Sequence, residues 1–151
     1  MGSIADAFGS DYKQQYTERS LKVGVIIKRF ENSTNPPKTK YSIIVGESND
    51  NIVFARVYIN SEINPNLFPT PDLMSLHHGL DDNDYNCLER YSYVDCSRLI
   101  NISKEELIEE ISSATDVIQE DVKDYDLTGI LEIIKIAGTI NRAEKRRFDL
   151  L

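Results

Sequence analysis

A chain of 151 residues and 17.2 kDa has the size of one domain and can bury a sizeable core without disulfides or structural metals. Hydrophobic residues make up 40%, charged residues 28%, and Gly and Pro number 7 and 5, which excludes collagen-like, low-complexity and wholly disordered classes. The net charge of −8 argues against a protein that grips nucleic acid over its whole surface, because Lys and Arg neutralising phosphates supply most non-specific affinity. A local basic site stays compatible with it. The charge is uneven: residues 1–80 carry eight acids and eight bases, residues 81–126 fourteen acids and four bases, and residues 127–151 three acids and five bases. The acid block reads as a solvated helix face, with nucleic-acid mimicry or a basic partner as alternatives. No apolar run reaches the ~18 residues of a membrane span, and the first residues lack a secretory signal pattern, so a cytoplasmic chain without membrane contact is expected.

In chain order, residues 1–20 form a polar leader that holds at most one short helix, and residues 21–151 form a single domain. Val23 to Lys28, Tyr41 to Gly46 and Ile52 to Asn60 are β-branched and aromatic runs separated by turn-rich segments, as in successive antiparallel strands. In the third run Val53, Ala55, Val57 and Ile59 alternate with Phe54, Arg56 and Tyr58, so the two sets occupy opposite faces. The first set is expected in the core. The second forms an aromatic-basic-aromatic strip that could stack bases, unless a terminal helix covers that face and Arg56 meets an acid there.

Asn64 to Leu88 is a long insert with three prolines, in which Leu73, Leu76 and Leu80 suggest an amphipathic turn or two. A fourth strand is expected at Tyr91 to Cys96 and a fifth at Leu99 to Ile102. Ser103 to Glu106 fits a capping box, opening a helix whose apolar positions are Leu107, Ile111, Ala114 and Ile118. The segment from Leu127 to Ile140 is read as a second helix with a broad apolar surface, which suggests packing between layers or a homodimer. Arg142, Lys145, Arg146 and Arg147 form a small basic cluster read as a solvated helix end.

Signatures of dinucleotide, P-loop, zinc-protease and hydrolase sites are missing from the sequence. Asp82, Asp84 and Asn86 have calcium-loop spacing, but Cys87 and Tyr93 stand where Gly and Glu are required. His77 and His78 are adjacent and point apart on any regular element, so no metal and no cofactor is expected. Cys87 and Cys96 are too few for a disulfide framework and read as reduced thiols.

One ordered pattern remains. Leu21-Lys22-Val23-Gly24-Val25-Ile26 opens a strand, Asn35-Pro36-Pro37-Lys38-Thr39-Lys40 leads into Tyr41-Ser42-Ile43-Ile44-Val45, Ile59-Asn60-Ser61 ends a strand, and Ser92-Tyr93-Val94-Asp95-Cys96-Ser97-Arg98-Leu99 precedes Lys104-Glu105-Glu106-Leu107. This order resembles the MazF/PemK/Kid-like toxins, small SH3-like barrels with terminal helices, over the stretch from Leu21 to Leu107. The resemblance implies a mainly β fold with α, a small SH3-like antiparallel β-barrel of about five strands with C-terminal helices. It also implies metal-independent endoribonuclease cleavage of single-stranded RNA in a toxin-antitoxin or defence setting, with an antitoxin or another protein as partner.

Such cleavage needs a base for the 2′-hydroxyl, an acid for the departing oxygen and a cation over the phosphoryl oxygens. Carried over by position, Lys40 stands at the family's basic loop residue and Ser61 at its strand end. Ser97 stands where the family has Asp, and Ile100 where it has Arg; Asp95 and Arg98, displaced along the strand, are the groups that could replace them. The expected catalytic set is therefore Lys40, Ser61, Asp95 and Arg98, with Lys38, Phe54, Arg56 and Tyr58 binding nucleic acid. The alternative is a catalytically inactive barrel acting as a protein-interaction module.

Overall fold

A computed structural model of the chain describes residues 20–114 and 116–151. The leader expected over residues 1–20, with its short helix, lies outside the described residues apart from Ser20. Strands β1 (Val25–Glu31), β2 (Lys38–Glu47) and β3 (Val53–Asn60) form a meander. There follow α1 (Pro71–Met74), β4 (His77–Leu80), a 3₁₀ turn at Asp82–Asp84, β5 (Ser92–Asp95), β6 (Ile100–Ser103), α2 (Lys104–Ser113), β7 (Ile118–Asp121), α3 (Asp124–Ile136) and α4 (Arg142–Arg147). The strands make one curled, half-barrel sheet in the order β4-β5-β3-β2-β1-β7, and every pair is antiparallel. β6 follows β5 along the same edge of β3: Val94 is opposite Ile59, and Ile100 is opposite Arg56.

Register sorts the residues of the meander onto two faces. On one lie Ile26, Ile43, Val45, Ala55, Val57, Ile59 and Val94, which pack with Ile130 and Ile134 of α3 and with Phe148 in the larger core. Period-2 alternation in β3 thus places its small aliphatic set in the core, as expected. Gly46 of β2 admits the C-terminal segment here, since a Cβ on it would stand 2.8 Å from the Cβ of Phe148.

The opposite face changes character along the strands. At one end Val25, Ile27, Ile44, Phe54 and Ile102 meet Leu107 of α2 and Val117 in a second core. In the middle lies an ionic network. The Arg56 Nη1 donates to Glu31 Oε1 (2.5 Å) and Ser42 Oγ (3.1 Å), the other Glu31 oxygen accepts from Arg29 (2.8 Å), and Arg29 continues to Glu110 of α2. At the far end the face opens into a cleft.

The helices follow local rules. Ser103 caps α2, its hydroxyl accepting from the Glu106 N–H at 3.3 Å, while the Glu106 carboxylate stands 3.6 Å from Arg29. α3 carries Asp124 and Asp126 in its first turn and Lys135 in its last, both suited to the helix dipole. Its C-terminal carbonyls receive the buried Lys145 ammonium, which donates to Lys135 O (2.9 Å) and Ala137 O (2.8 Å).

Several expectations need correction. Among the described residues there are seven strands rather than about five, because His77–Leu80 pairs with β5 inside the insert and Ile118–Asp121 pairs with the free edge of β1. Ile118 therefore leaves the helix whose apolar stripe it was expected to extend; α2 ends at Ser113, and Ala114 is extended. Of Leu73, Leu76 and Leu80 in the insert, Leu73 sits in a helix, the single turn Pro71–Met74 with Thr70 as cap and Pro71 at its start. Much of the apolar surface of α3 packs against the larger core through Ile130, Ile134, Leu127, Leu131 and Ile133, while Ile136 stays 77% exposed.

Removing one partner of a buried ion pair leaves the other charge uncompensated. Glu31→Gln is expected to lower the unfolding free energy by about 3 kcal/mol, read as a lower urea midpoint at unchanged m-value.

Candidate functional site

The open end of the second face is a cleft of about 1000 Å³, at the upper end of small-ligand pocket sizes. β2 supplies Lys38, Lys40 and Tyr41, β3 supplies Tyr58 and Asn60, and the turn after β3 supplies Ser61 and Glu62. The insert contributes Leu67 and Phe68, and the β5–β6 junction contributes Asp95, Ser97, Arg98 and Ile100. All four residues expected to be catalytic, Lys40, Ser61, Asp95 and Arg98, line this one cleft, together with Lys38 and Tyr58.

Its cations gather around Tyr58. The Lys40 Nζ lies 4.8 Å from the centre of the Tyr58 ring, Arg98 Cζ 5.6 Å and Arg56 Cζ 5.9 Å. Lys40 also donates to Asn60 Oδ1. Burial, and then the charges of Lys38 and Arg98, hold its ammonium below the ordinary lysine pKa, against smaller opposing effects of Asp95 and Glu31. A crowded, half-desolvated ammonium of this kind is relieved when an anion arrives beside it.

Asp95 is almost fully buried, and its two oxygens have different surroundings. Oδ1 accepts from the Ser97 N–H (2.9 Å) and the Ser97 hydroxyl (2.5 Å), while Oδ2 faces Arg98 Nε at 3.8 Å. Ser97 thus orients the neighbouring carboxylate. Behind it stands His77, whose Nδ1–H donates to Met74 O (3.1 Å) and whose Nε2 lies 3.9 Å from Asp95 Oδ1. Phe68 packs edge-on against the His77 ring at 4.4 Å.

The stacking strip does not form. Phe54 is buried in the second core beneath α2, and Arg56 is 1% exposed and held by Glu31 and Ser42. Neither can meet a base. The alternative stated for that face holds in part: an acid on β1 meets the arginine in the middle, but the helix over one end is the internal α2 and not a terminal one. Tyr58 alone reaches the cleft.

Asn60, Leu67 and Phe68 were not singled out from sequence, and Ser97 only as a departure from the resembled pattern. The signal for Leu67 and Phe68 was the insert's length, which marks a segment with a task but not its residues. A separate network was also unforeseen: His78 Nε2–H donates to Asp126 Oδ1 (2.9 Å), and the Tyr85 hydroxyl donates to Asp126 Oδ2 (2.5 Å). Burial and then Asp126 push the Tyr85 pKa upward. This network fastens α3 to β4, where Gly129 leaves room for the His78 ring. Asp81 caps the 3₁₀ turn and Asp84 accepts from Tyr125. Among the described residues no group of three or more His, Cys, Asp and Glu side chains could hold a metal ion, and no helix is long and apolar enough to cross a membrane. No family model and no curated protein matches the chain.

Both thiols are chemically quiet. Burial, helped by Glu120 at Cys87 and by Asp95 at Cys96, pushes each up to about 12, so the reactive thiolate is scarce near neutral pH. At pH 8 the native chain is expected to react with a disulfide reagent far more slowly than the same chain in guanidinium, where both thiols titrate at once. Fast native labelling at either position contradicts this.

Proposed function

We propose that this chain is a MazF/PemK-like protein with an SH3-like barrel, that its cleft binds the backbone of single-stranded RNA, and that it cleaves that RNA without a metal. The observation that carries the reading is the convergence of Lys38, Lys40 and Arg98 on one cleft beside Tyr58 in a chain of net charge −8. Three cations clustered against the overall sign form a local anion site, and phosphodiesters are anions that a cleft with polar and apolar walls suits.

The cleavage step follows from the charges. Asp95 Oδ2, which is not taken up by the Ser97 bonds, accepts the proton of the 2′-hydroxyl as its oxygen bonds to phosphorus. The bond from phosphorus to the 5′-oxygen breaks, and the Lys40 ammonium donates a proton to the departing oxygen. Arg98 and Lys38 face the charge that grows on the phosphoryl oxygens. The products are a 2′,3′-cyclic phosphate and a 5′-hydroxyl, and proton exchange with water restores Asp95 and Lys40. Ser61 stands at the cleft wall, where its hydroxyl can hold the sugar-phosphate backbone.

The test is a titration of labelled single-stranded RNA, with a parallel cleavage assay in EDTA. With about three phosphate contacts, log affinity is expected to fall against log salt with a slope of about −2. Cleavage is expected in EDTA and is lost in Asp95→Asn. Because the charged form of Lys40 binds the anion, affinity declines as pH rises through its lowered pKa, below the ordinary value of 10.5. Lys40→Arg, which stays charged, removes that decline. RNA that neither binds nor breaks overturns the reading.

A second reading, a noncatalytic barrel that docks a protein segment, draws on Leu67, 68% exposed beside Phe68 in the cleft wall. Intact RNA and no salt-dependent affinity would favour it.

A further inference from the structure

Tyr58 is 3% exposed, lines the cleft, and its hydroxyl is buried without a hydrogen-bond partner. A hydroxyl taken out of water and left unpaired costs stability. Phe in the same place would fill the same volume, offer the same ring to Lys40 and Arg98, and avoid that cost. Packing therefore accounts for the ring of Tyr58 and not for its oxygen.

The surroundings say what the oxygen could meet. The ring lies among Lys40, Arg98 and Arg56, all within 6 Å of its centre. A phenol is a donor, and the group that cations collect is an anion with acceptor oxygens. Two other buried polar atoms among the described residues lack partners, Arg56 Nε and His77 Nε2, but neither residue lines the cleft. Arg98 has a side chain 63% exposed and can draw aside from the ring as it takes up a phosphate.

We infer that Tyr58 is a phosphate-seating residue: its hydroxyl donates a hydrogen bond to a non-bridging phosphoryl oxygen of single-stranded RNA held between Lys40 and Arg98. This replaces base stacking with hydrogen bonding as the task of Tyr58, and it rests on the RNA reading above.

Tyr58→Phe removes one oxygen and keeps the ring. Binding of a fluorescein-labelled single-stranded RNA octamer is followed by anisotropy over a salt series for the natural chain, Tyr58→Phe and Lys40→Met, together with each thermal midpoint. Tyr58→Phe is expected to weaken binding about tenfold or more, leave the salt slope unchanged because no charge is lost, and keep or raise the midpoint. Lys40→Met is expected to make the slope shallower by about 0.7. If the natural chain binds RNA and Tyr58→Phe binds equally well, the assignment of the hydroxyl is wrong while the RNA reading stands. A lower midpoint, or failure to fold, shows that the hydroxyl has a structural partner and also overturns the assignment. If the natural chain does not bind the octamer, the RNA reading falls and the phosphate seat falls with it.

Discussion

The Glu31 carboxylate holds two arginines at once, and the organisation of the sheet's second face depends on that. Arg56 is 1% exposed on a central strand, so its charge needs a partner inside the protein. β1 supplies one in Glu31, reached diagonally over β2, and Arg29 on the same strand extends the chain of charges to Glu110 on α2. A face that is apolar beneath the helix can then become cationic a few residues further along without exposing its core. Ion networks of this kind are weak evidence for stability, since an apolar set of equal volume is often as good. Here the network forms a polar boundary between the second core and the cleft.

That boundary explains why one strand serves three environments. Phe54, Arg56 and Tyr58 point the same way from β3, yet one lies under a helix, one within the ion network and one beside the cleft. The cleft takes its shape from a second feature. β5 and β6 run along one edge of β3 but are separated by Cys96 to Leu99, so the chain leaves the sheet opposite Tyr58 and turns Ser97 and Arg98 toward the opening. A continuous strand would have placed those residues in the ladder. The break is what leaves Asp95, Ser97 and Arg98 at the cleft wall.

Much of this was legible in the sequence, and the parts that were not share a cause. The meander, its core face, the Ser103 cap and the α3 helix follow from local pattern, because period and capping chemistry act within a few residues. The meeting of Lys40, Ser61, Asp95 and Arg98 was legible only through the order of motifs, since the first pair and the second are about thirty-five residues or more apart. Strands β4 and β7 were not legible. Each has four residues, as β5 and β6 do, but β4 lies inside a long turn-rich insert and β7 continues a helical spacing, and each pairs with the open edge of a neighbouring strand. Ile118 shows the competition: its spacing from Leu107 and Ile111 suits a helix, but pairing with Ile27 decides the matter. The burial of Arg56 was legible as an alternative, though its partner Glu31, twenty-five residues earlier, was not.

The acidity of the chain bears less on the cleft than its size suggests. Charges separated by more than about 8 Å at physiological ionic strength are largely screened, so a ligand at the cleft responds to its immediate neighbours. Several members of the acid block are also already engaged: Glu110 with Arg29, Asp126 with His78 and Tyr85, Glu120 with the Cys87 N–H, and Asp84 with Tyr125. Within range of Lys40 the two signs compete directly. Asp95 and Glu31 pull its ammonium toward the charged form, and Lys38 and Arg98 push more strongly the other way. Asp95 and Glu31 are themselves occupied, one by Ser97 and Arg98 and the other by two arginines, which weakens the opposition they offer. The local balance is positive, and it is positive because the nearby acids are already spoken for.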